Sequence, residues 1–290
     1  MKVLKKLVTN PLSIVGLVIL LGFIVVALLA PVLAPPKANQ SPYRIPRDGW
    51  MAEPQPPSSE HPFGTTEGQY DIYYGVVWGT RTAFRIGITL VVVASSIGVL
   101  IGSFSAYFGG WFDEIVMRIT DVFFAFPYLV AAMVVTTILG KGLDRMMFSL
   151  ILFGWMPTAR LIRSQILVLK EKTYVEAIRA LGGGHLRILF RHILPNAIFP
   201  VIVQATMAVG FMIVLAATLS FFGLGAEPGY ADWGQMISRA RNWVVMPPGT
   251  PFKYWFTIVF PGAALLLFSL SWNLVGDAFR DIYDPRLRGR

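Results

Sequence analysis

The side chains that could carry chemistry are few and poorly placed for catalysis. His61, His185 and His192 are the only histidines, and the chain has no cysteine. His185 and His192 can share a helix face, but two imidazoles without a thiolate or carboxylate beside them fall short of the ligand set of a zinc centre. Gly140-Lys141-Gly142 lacks the upstream glycine and the hydroxyl residue of a phosphate-binding loop, and neither His-Glu-x-x-His nor Gly-x-Ser-x-Gly occurs. Arg118, Asp121, Arg160 and Arg163 stand near the ends of apolar runs, where long side chains reach water cheaply. No run holds the carboxylate or histidine relay of a proton-driven transporter, or the ring of charge of a selective channel. The expectation is a chain without catalytic residues, bound cofactor or metal, so that an intramembrane enzyme is unsupported and a stand-alone channel or secondary transporter is the competing class.

What remains is the chemistry of docking and leverage, concentrated in residues 170–195. Thr173 followed by Glu176 fits a capping box, in which hydroxyl and carboxylate each accept from an orphan N–H at a helix start. Val175, Ile178 and Leu181 are spaced to share one face, and Gly182, Gly183 and Gly184 supply the permissive backbone of a sharp reversal. A second short helix over 185–192 leads to Leu194 and to Pro195, at a position suited to proline. Such an elbow is either a structural corner or a lever through which a partner moves two helices together.

The elements that carry the elbow follow from composition. Of 290 residues 55% are apolar and only 14% charged, with mean hydropathy +0.60; a soluble domain averages roughly 25% charged residues. The chain is therefore expected to be an integral membrane protein, which excludes a disordered chain, a disulfide scaffold and an ordinary soluble enzyme. Apolar runs at 11–33, 84–107, 117–139, 146–167, 196–222 and 254–275 each approach the ~20 residues that a ~30 Å hydrocarbon layer requires. The first run is too long for a signal sequence and is read as a retained span. The organisation expected is residues 1–34 as cytoplasmic N-terminus and first span, a proline-rich extracytoplasmic loop at 35–83, and a five-helix core at 84–290.

An even number of spans puts both termini on one side. Lys2, Lys5, Lys6, Arg118, Arg160, Arg163, Lys170, Lys172, Arg179, Arg187, Arg191, Arg280, Arg286, Arg288 and Arg290 lie on that side, against sparser Lys37, Arg44, Arg47, Lys141, Arg145, Arg239, Arg241 and Lys253 opposite. The positive-inside rule then places both termini in the cytoplasm. The net charge of +9 is a topology signal, and no nucleic-acid partner is expected.

Ala94, Gly98, Gly102 and Ala106 make a strip of small side chains on span two, suited to close packing of another helix in this subunit or to contact with a partner subunit. Pro127, Pro157, Pro200 and Pro261 permit kinks within spans. Trp233, Met236, Ile237, Ala240 and Val244 form an apolar stripe suited to a helix at the outer membrane interface, anchored by Trp233 and Trp243, or to the cap of an outward cavity.

The elbow resembles the cytoplasmic "EAA" coupling motif of ABC-type importer permeases. Glu176, Ala177, Gly182, Leu194 and Pro195 match, while Ile178 replaces the second motif alanine and His192 the motif isoleucine. Arg191-His-Ile-Leu-Pro-Asn196 is similar to the variant of the dipeptide, oligopeptide and nickel importers. Further matches to their C-type permease span most of the chain: Asp121 with Ala125-Phe126-Pro127, Ala159-Arg-Leu-Ile-Arg163 with Gln165, Leu219-Ser-Phe-Phe-Gly-Leu-Gly225, Trp233-Gly234, Pro261-Gly262, Asn273-Leu-Val-Gly-Asp-Ala-Phe-Arg280 and Asp284-Pro-Arg-Leu-Arg288. One segment departs. Gly64-Thr-Thr-Glu-Gly-Gln-Tyr-Asp71 keeps Gly64, Thr65 and Asp71 of a Gly-Thr-Asp-x-x-Gly-Arg-Asp signature but loses its Gly-Arg pair.

The resemblance implies an all-α, six-span type I importer permease in a prokaryotic cytoplasmic membrane, embedded in lipid. It implies a homologous B-type permease as partner, two ATPase subunits that hold the ATP and magnesium, and an extracytoplasmic solute-binding protein. Peptides are the implied substrate class, with oligosaccharides or nickel complexes as alternatives. Under it, Thr173, Glu176, Ala177, Ile178, Arg179, Ala180, Gly182, Arg187, Arg191, His192, Leu194 and Pro195 form the ATPase-coupling segment. Glu176 would serve as cap and contact, Ala177 and Ile178 as docking face, and Gly182 as turn. Arg179, Arg187 and Arg191 would meet acidic groups on the ATPase or simply hold cytoplasmic charge.

Overall fold

The computed structural model of this protein describes residues 11–244 and 252–283. The basic residues Lys2, Lys5, Lys6, Arg286, Arg288 and Arg290 and the motif at 284–288 lie outside them. Uninterrupted apolarity makes α1 (Pro11–Leu33), and α2 (Ile72–Phe108) follows a long irregular loop. Then come α3 (Gly110–Phe124), α4 (Tyr128–Leu139), α5 (Leu143–Gly154) and α6 (Met156–Leu169). The elbow comprises α7 (Thr173–Ala180), α8 (His185–Arg187), a π-helical turn (Ile188–Ile193) and α9 (Leu194–Ala197). The chain continues through α10 (Phe199–Phe221), α11 (Trp233–Val244) and α12 (Phe256–Tyr283).

Among the described residues α1, α2, α10 and α12 are long and apolar enough to cross a membrane. The expected third span is not one helix, since α3 and α4 meet at 87°. Pro127 takes an extended ψ of 122°, has no N–H to give a continuing helix, and disfavours helical backbone at Phe126 before it. The expected fourth span is divided at Trp155, where φ −78° and ψ −24° remain helical. Pro157 cannot donate to the carbonyl of Phe153, which accounts for the interruption. The helix that holds the second apolar run begins at Ile72, so residues 72–83 are helical and not irregular loop. Asp71 caps it, accepting from Tyr74 N–H at 2.8 Å, and Tyr74 and Trp78 are buried.

The small strip on α2 is spent inside the subunit. A Cβ on Gly98 would stand 2.4 Å from the Trp155 carbonyl oxygen, and one on Gly102 would stand 2.3 Å from that of Ala159. Ala94 and Ala106 are buried as well. The α2 and α6 backbones thus approach as closely as helices can, which replaces hydrophobic exclusion as the source of cohesion in lipid.

The half of the bundle beside the 34–71 loop has an aromatic core. Phe268 of α12 takes edge contacts from Phe23 at 5.4 Å, Phe84 at 5.0 Å and Trp233 at 5.8 Å. Trp233 is consequently no interfacial anchor. It is buried with Met236 and Ala240, and its indole N–H donates to the Val76 carbonyl at 3.2 Å. Trp243 likewise donates to Glu67 at 2.8 Å, within the protein. Asp232 starts α11, accepting from Gly234 N–H at 2.9 Å and from the Ser220 hydroxyl at 2.5 Å. Burial pushes its carboxyl above the usual carboxylate range.

Arg81 of α2 repairs a defect in α1. Pro31 has no N–H for the carbonyl of Ala27, and Arg81 Nε donates to that oxygen, with Nη2 at 3.3 Å from the Leu28 carbonyl. Arg81→Met should therefore lower stability by about 2 kcal/mol through the orphaned carbonyl, and Pro31→Ala in the same chain should recover most of it. Thermal unfolding in detergent of the two single variants and the double variant checks this; equal losses that simply add would refute the coupling.

The 34–71 loop is lashed down by single antiparallel bridges, Arg44 to Tyr230, Arg47 to Tyr70 and Thr65 to Asp71. Gly64 has φ +76° and admits no Cβ, because Phe256 and the Gln55 carbonyl close on it. Where the family signature carries its second glycine, Gln69 holds φ +60° after Gly68 at φ +74°. Gln69→Gly should raise the unfolding midpoint, relieving about 1 kcal/mol of left-handed strain; an unchanged or lower midpoint would show that the loop bears no such strain.

Candidate coupling site

The elbow is built from two short helices and a proline. Residues 170–172 turn the chain after α6, and Lys170 Nζ donates to the Ala106 carbonyl at 2.9 Å, in the last turn of α2. The helix α7 then starts with Lys172 as N-cap and no side-chain capping bond, so the expected Thr173–Glu176 box is not formed. Thr173 lies one residue inside the helix, where its hydroxyl cannot reach back as a cap.

The far end of α7 is a full Schellman motif. Gly183 N–H donates to Ile178 at 3.0 Å and Gly182 N–H to Arg179 at 3.0 Å, with Gly182 at φ +81°. Gly182 is thus the left-handed residue. Gly184 is extended, at φ −68° and ψ 148°, and opens α8. The continuation to span five is a π-helical turn, closed by Leu194 N–H to the Leu189 carbonyl, instead of the expected α-helix over 185–192. Widening the turn there keeps the Pro195 ring clear of the preceding carbonyls, and Pro195 then opens α9.

Burial separates two faces. Val175, Ile188, Leu189 and Ile193 are fully buried in one cluster with Ala106 of α2, Ile162 and Ile166 of α6, and Val201 of α10. Ile178 and Leu194 pack against the same cluster, so Ile178 faces inward and is not on an outer docking face. Leu181 does not share that face either: it is 88% exposed. The helix ends at Ala180, and the cap residue Leu181 swings out. The outer surface consists of Thr173, Tyr174, Glu176, Ala177, Arg179, Ala180 and Leu181 with Leu186, Arg187, Phe190 and Arg191. The three arginines have no carboxylate partner among the described residues, and His192 is half-buried. His185 turns back on α2, its Nδ1 3.1 Å from the Tyr107 hydroxyl.

Ion pairs stiffen the same end of the bundle. Arg163 of α6 donates twice to Asp113 of α3, at 2.7 and 2.5 Å, and Ser105 of α2 donates to the same carboxylate. Arg160 pairs with Asp121. Asp121, Arg160 and Arg163 at the span ends therefore cross-link α3 to α6, with Ser105 tying in α2. The spacing of Asp113 to Arg163 gives no sign of this, because the partners lie on different helices. Chemically, the site offers no nucleophile or metal-ligand set among the described residues; it offers an exposed apolar and cationic tip on a buried root.

Comparison with known proteins agrees with the motif. The family described as binding-protein-dependent transport system inner membrane component matches residues 98–289, and the N-terminal TM domain of oligopeptide transport permease C matches residues 2–57. The dipeptide transport system permease protein DppC of Alkalihalophilus pseudofirmus is 36% identical over 98% of this chain and 89% of its own. The glutathione transport system permease protein GsiD of Pectobacterium atrosepticum is 40% identical over 80% of this chain and 75% of its own. A chain of the MetNI methionine ABC transporter in inward-facing conformations, at 16% identity, shares the fold with a TM-score of 0.56 over 72% of this chain and 96% of that one. The elbow, the helix order and these matches converge: this chain belongs to the inner membrane components of binding-protein-dependent transport systems, with the N-terminal domain of the oligopeptide permease C type.

Proposed function

We propose that this permease subunit imports peptides and that its elbow receives the stroke of the ATPase subunits. Two relatives named for dipeptide and glutathione transport support the substrate class. In this reading the chain crosses a prokaryotic cytoplasmic membrane six times, through α1, α2, the bent pair α3–α4, the interrupted pair α5–α6, α10 and α12, with both termini in the cytoplasm. A homologous B-type permease completes the pathway, an extracytoplasmic receptor delivers the solute, and two ATPases hold the ATP and magnesium that this chain does not bind.

The observation that carries the proposal is the two-faced elbow. A push on Tyr174, Leu181 or Leu186 has no slack to dissipate in, because Val175, Ile188, Leu189 and Ile193 sit in a close-packed cluster with α2, α6 and α10. Vesicles holding the chain with its partner permease, ATPases and receptor should accumulate peptide only with ATP, and the chain alone should conduct nothing. Ion conductance by the chain alone would favour a channel, and uptake of an oligosaccharide or nickel complex without peptide would move the substrate.

A further inference from the structure

The two interrupted helices meet at one place. A cavity of about 270 Å³ lies between α2, α10, the α3–α4 bend and the α5–α6 interruption. Its lining is apolar, with Phe123, Phe153, Met156, Phe211 and Met212 prominent. Tyr128 also lines it, but its hydroxyl is already given to the Leu150 carbonyl at 2.7 Å. Gln204 of α10 differs from them. It lines the cavity, and its Oε1 is buried with no hydrogen-bond partner among the described residues. A buried amide oxygen left unpaired is costly, and native chains retain one mainly where a donor arrives. Interrupted helices around a cavity are also a recurring architecture of solute sites in secondary transporters.

We infer that this cavity is a side-chain subsite for the transported peptide, in which an apolar side chain fills the space and Gln204 Oε1 accepts an N–H of the peptide backbone. The inference rests on the peptide-importer reading above. Volume sets the scale. A dry cavity of ~150 Å³ holds benzene, and whole-ligand pockets start near ~300 Å³, so this space suits one leucine- or phenylalanine-sized side chain and not a whole solute. A hydroxyl-rich sugar would lose its water there with a single acceptor in return. The subsite therefore favours peptides over oligosaccharides by chemistry as well as by size.

The test uses the complete transporter in vesicles and two probes, Ala-Phe-Ala and triglycine, with the same receptor throughout. Ala208→Phe fills the cavity and should lower Ala-Phe-Ala uptake roughly tenfold while triglycine uptake stays within about twofold, the size expected for loss of one apolar subsite. Gln204→Leu keeps the volume and removes the acceptor, and should lower both peptides alike while receptor-stimulated ATP hydrolysis persists. A readout independent of the filled variant uses Ala205→Cys, the single thiol in a cysteine-free chain. Ala-Phe-Ala should protect it from maleimide during turnover, and triglycine should not. Equal loss of both peptides in Ala208→Phe together with equal protection of Ala205→Cys would overturn the subsite while leaving peptide import standing. Wild-type vesicles that take up neither peptide would overturn the importer reading and the subsite with it.

Discussion

Gly182→Val is expected to cut ATP-driven uptake by roughly tenfold or more while leaving membrane insertion intact and separating ATP hydrolysis from transport. Gly182 has φ +81°, and a Cβ there would meet nothing within 4 Å. The damage is thus conformational and not steric against a neighbour. A left-handed L-residue costs about 1–2 kcal/mol, and a β-branched one more. The turn can relieve that strain only by giving up the Gly183 to Ile178 and Gly182 to Arg179 bonds that close α7. Once they open, Leu181 and the α7 surface no longer sit at a fixed distance from the buried root. Gly184→Val is the matched control: it also meets nothing within 4 Å, but its φ of −68° suits any residue. Uptake and ATP hydrolysis measured together on both variants decide the matter. Normal uptake in Gly182→Val, or equal loss in Gly184→Val, would contradict the lever.

Gly102→Leu should prevent accumulation of folded protein altogether. Its Cβ would stand 2.3 Å from the Ala159 carbonyl oxygen and 2.6 Å from Ile162 Cγ2, so α2 and α6 would have to separate along their length. A backbone cannot yield as a side-chain tip can, and the expected cost is about 3 kcal/mol or more, a large share of the ~5–15 kcal/mol by which a typical domain is stable. Gly98→Leu should behave alike, with its Cβ 2.4 Å from the Trp155 carbonyl oxygen. Gly22→Leu, where a Cβ meets nothing within 4 Å, should be near neutral. Membrane abundance and the unfolding midpoint in detergent check all three; a folded Gly102→Leu protein would show that the helices are not so tightly apposed.

How much of this was legible in the sequence depends on the range of the forces involved. The limits of α1 and α10 fall close to those of their apolar runs, whereas α12 starts near its run and continues past residue 275 to Tyr283. The bend between α3 and α4 is hidden because apolarity continues through Pro127, and a proline alone does not tell a kink from an 87° turn. In the elbow, the glycine run announces the reversal. On α7 the spacing places Val175 and Ile178 on one inward face, as found, and fails only for Leu181, because the helix stops at Ala180, one position before its periodicity would turn Leu181 inward. The Thr173–Glu176 pair matched a capping pattern, but the preceding turn places Lys172 at the cap. Trp233 carried the composition of an interfacial anchor and proved to be core, since Phe23 and Phe268 come from α1 and α12. The Arg81 bond to Ala27 and the cavity beside Gln204 are contacts between distant segments, which no local pattern encodes.

The central claim is that ATP-driven force enters through the exposed tip of the elbow. Because the chain has no cysteine, Leu181→Cys supplies a single thiol at a site 88% exposed in the wild type. With a maleimide that carries a photoreactive benzophenone, attached to that thiol in native membranes, illumination should cross-link it to a nucleotide-hydrolysing subunit, with a yield that changes between nucleotide-free and ATP-trapped states. Cross-links that never reach such a subunit, under conditions where the transporter is active, would contradict the account.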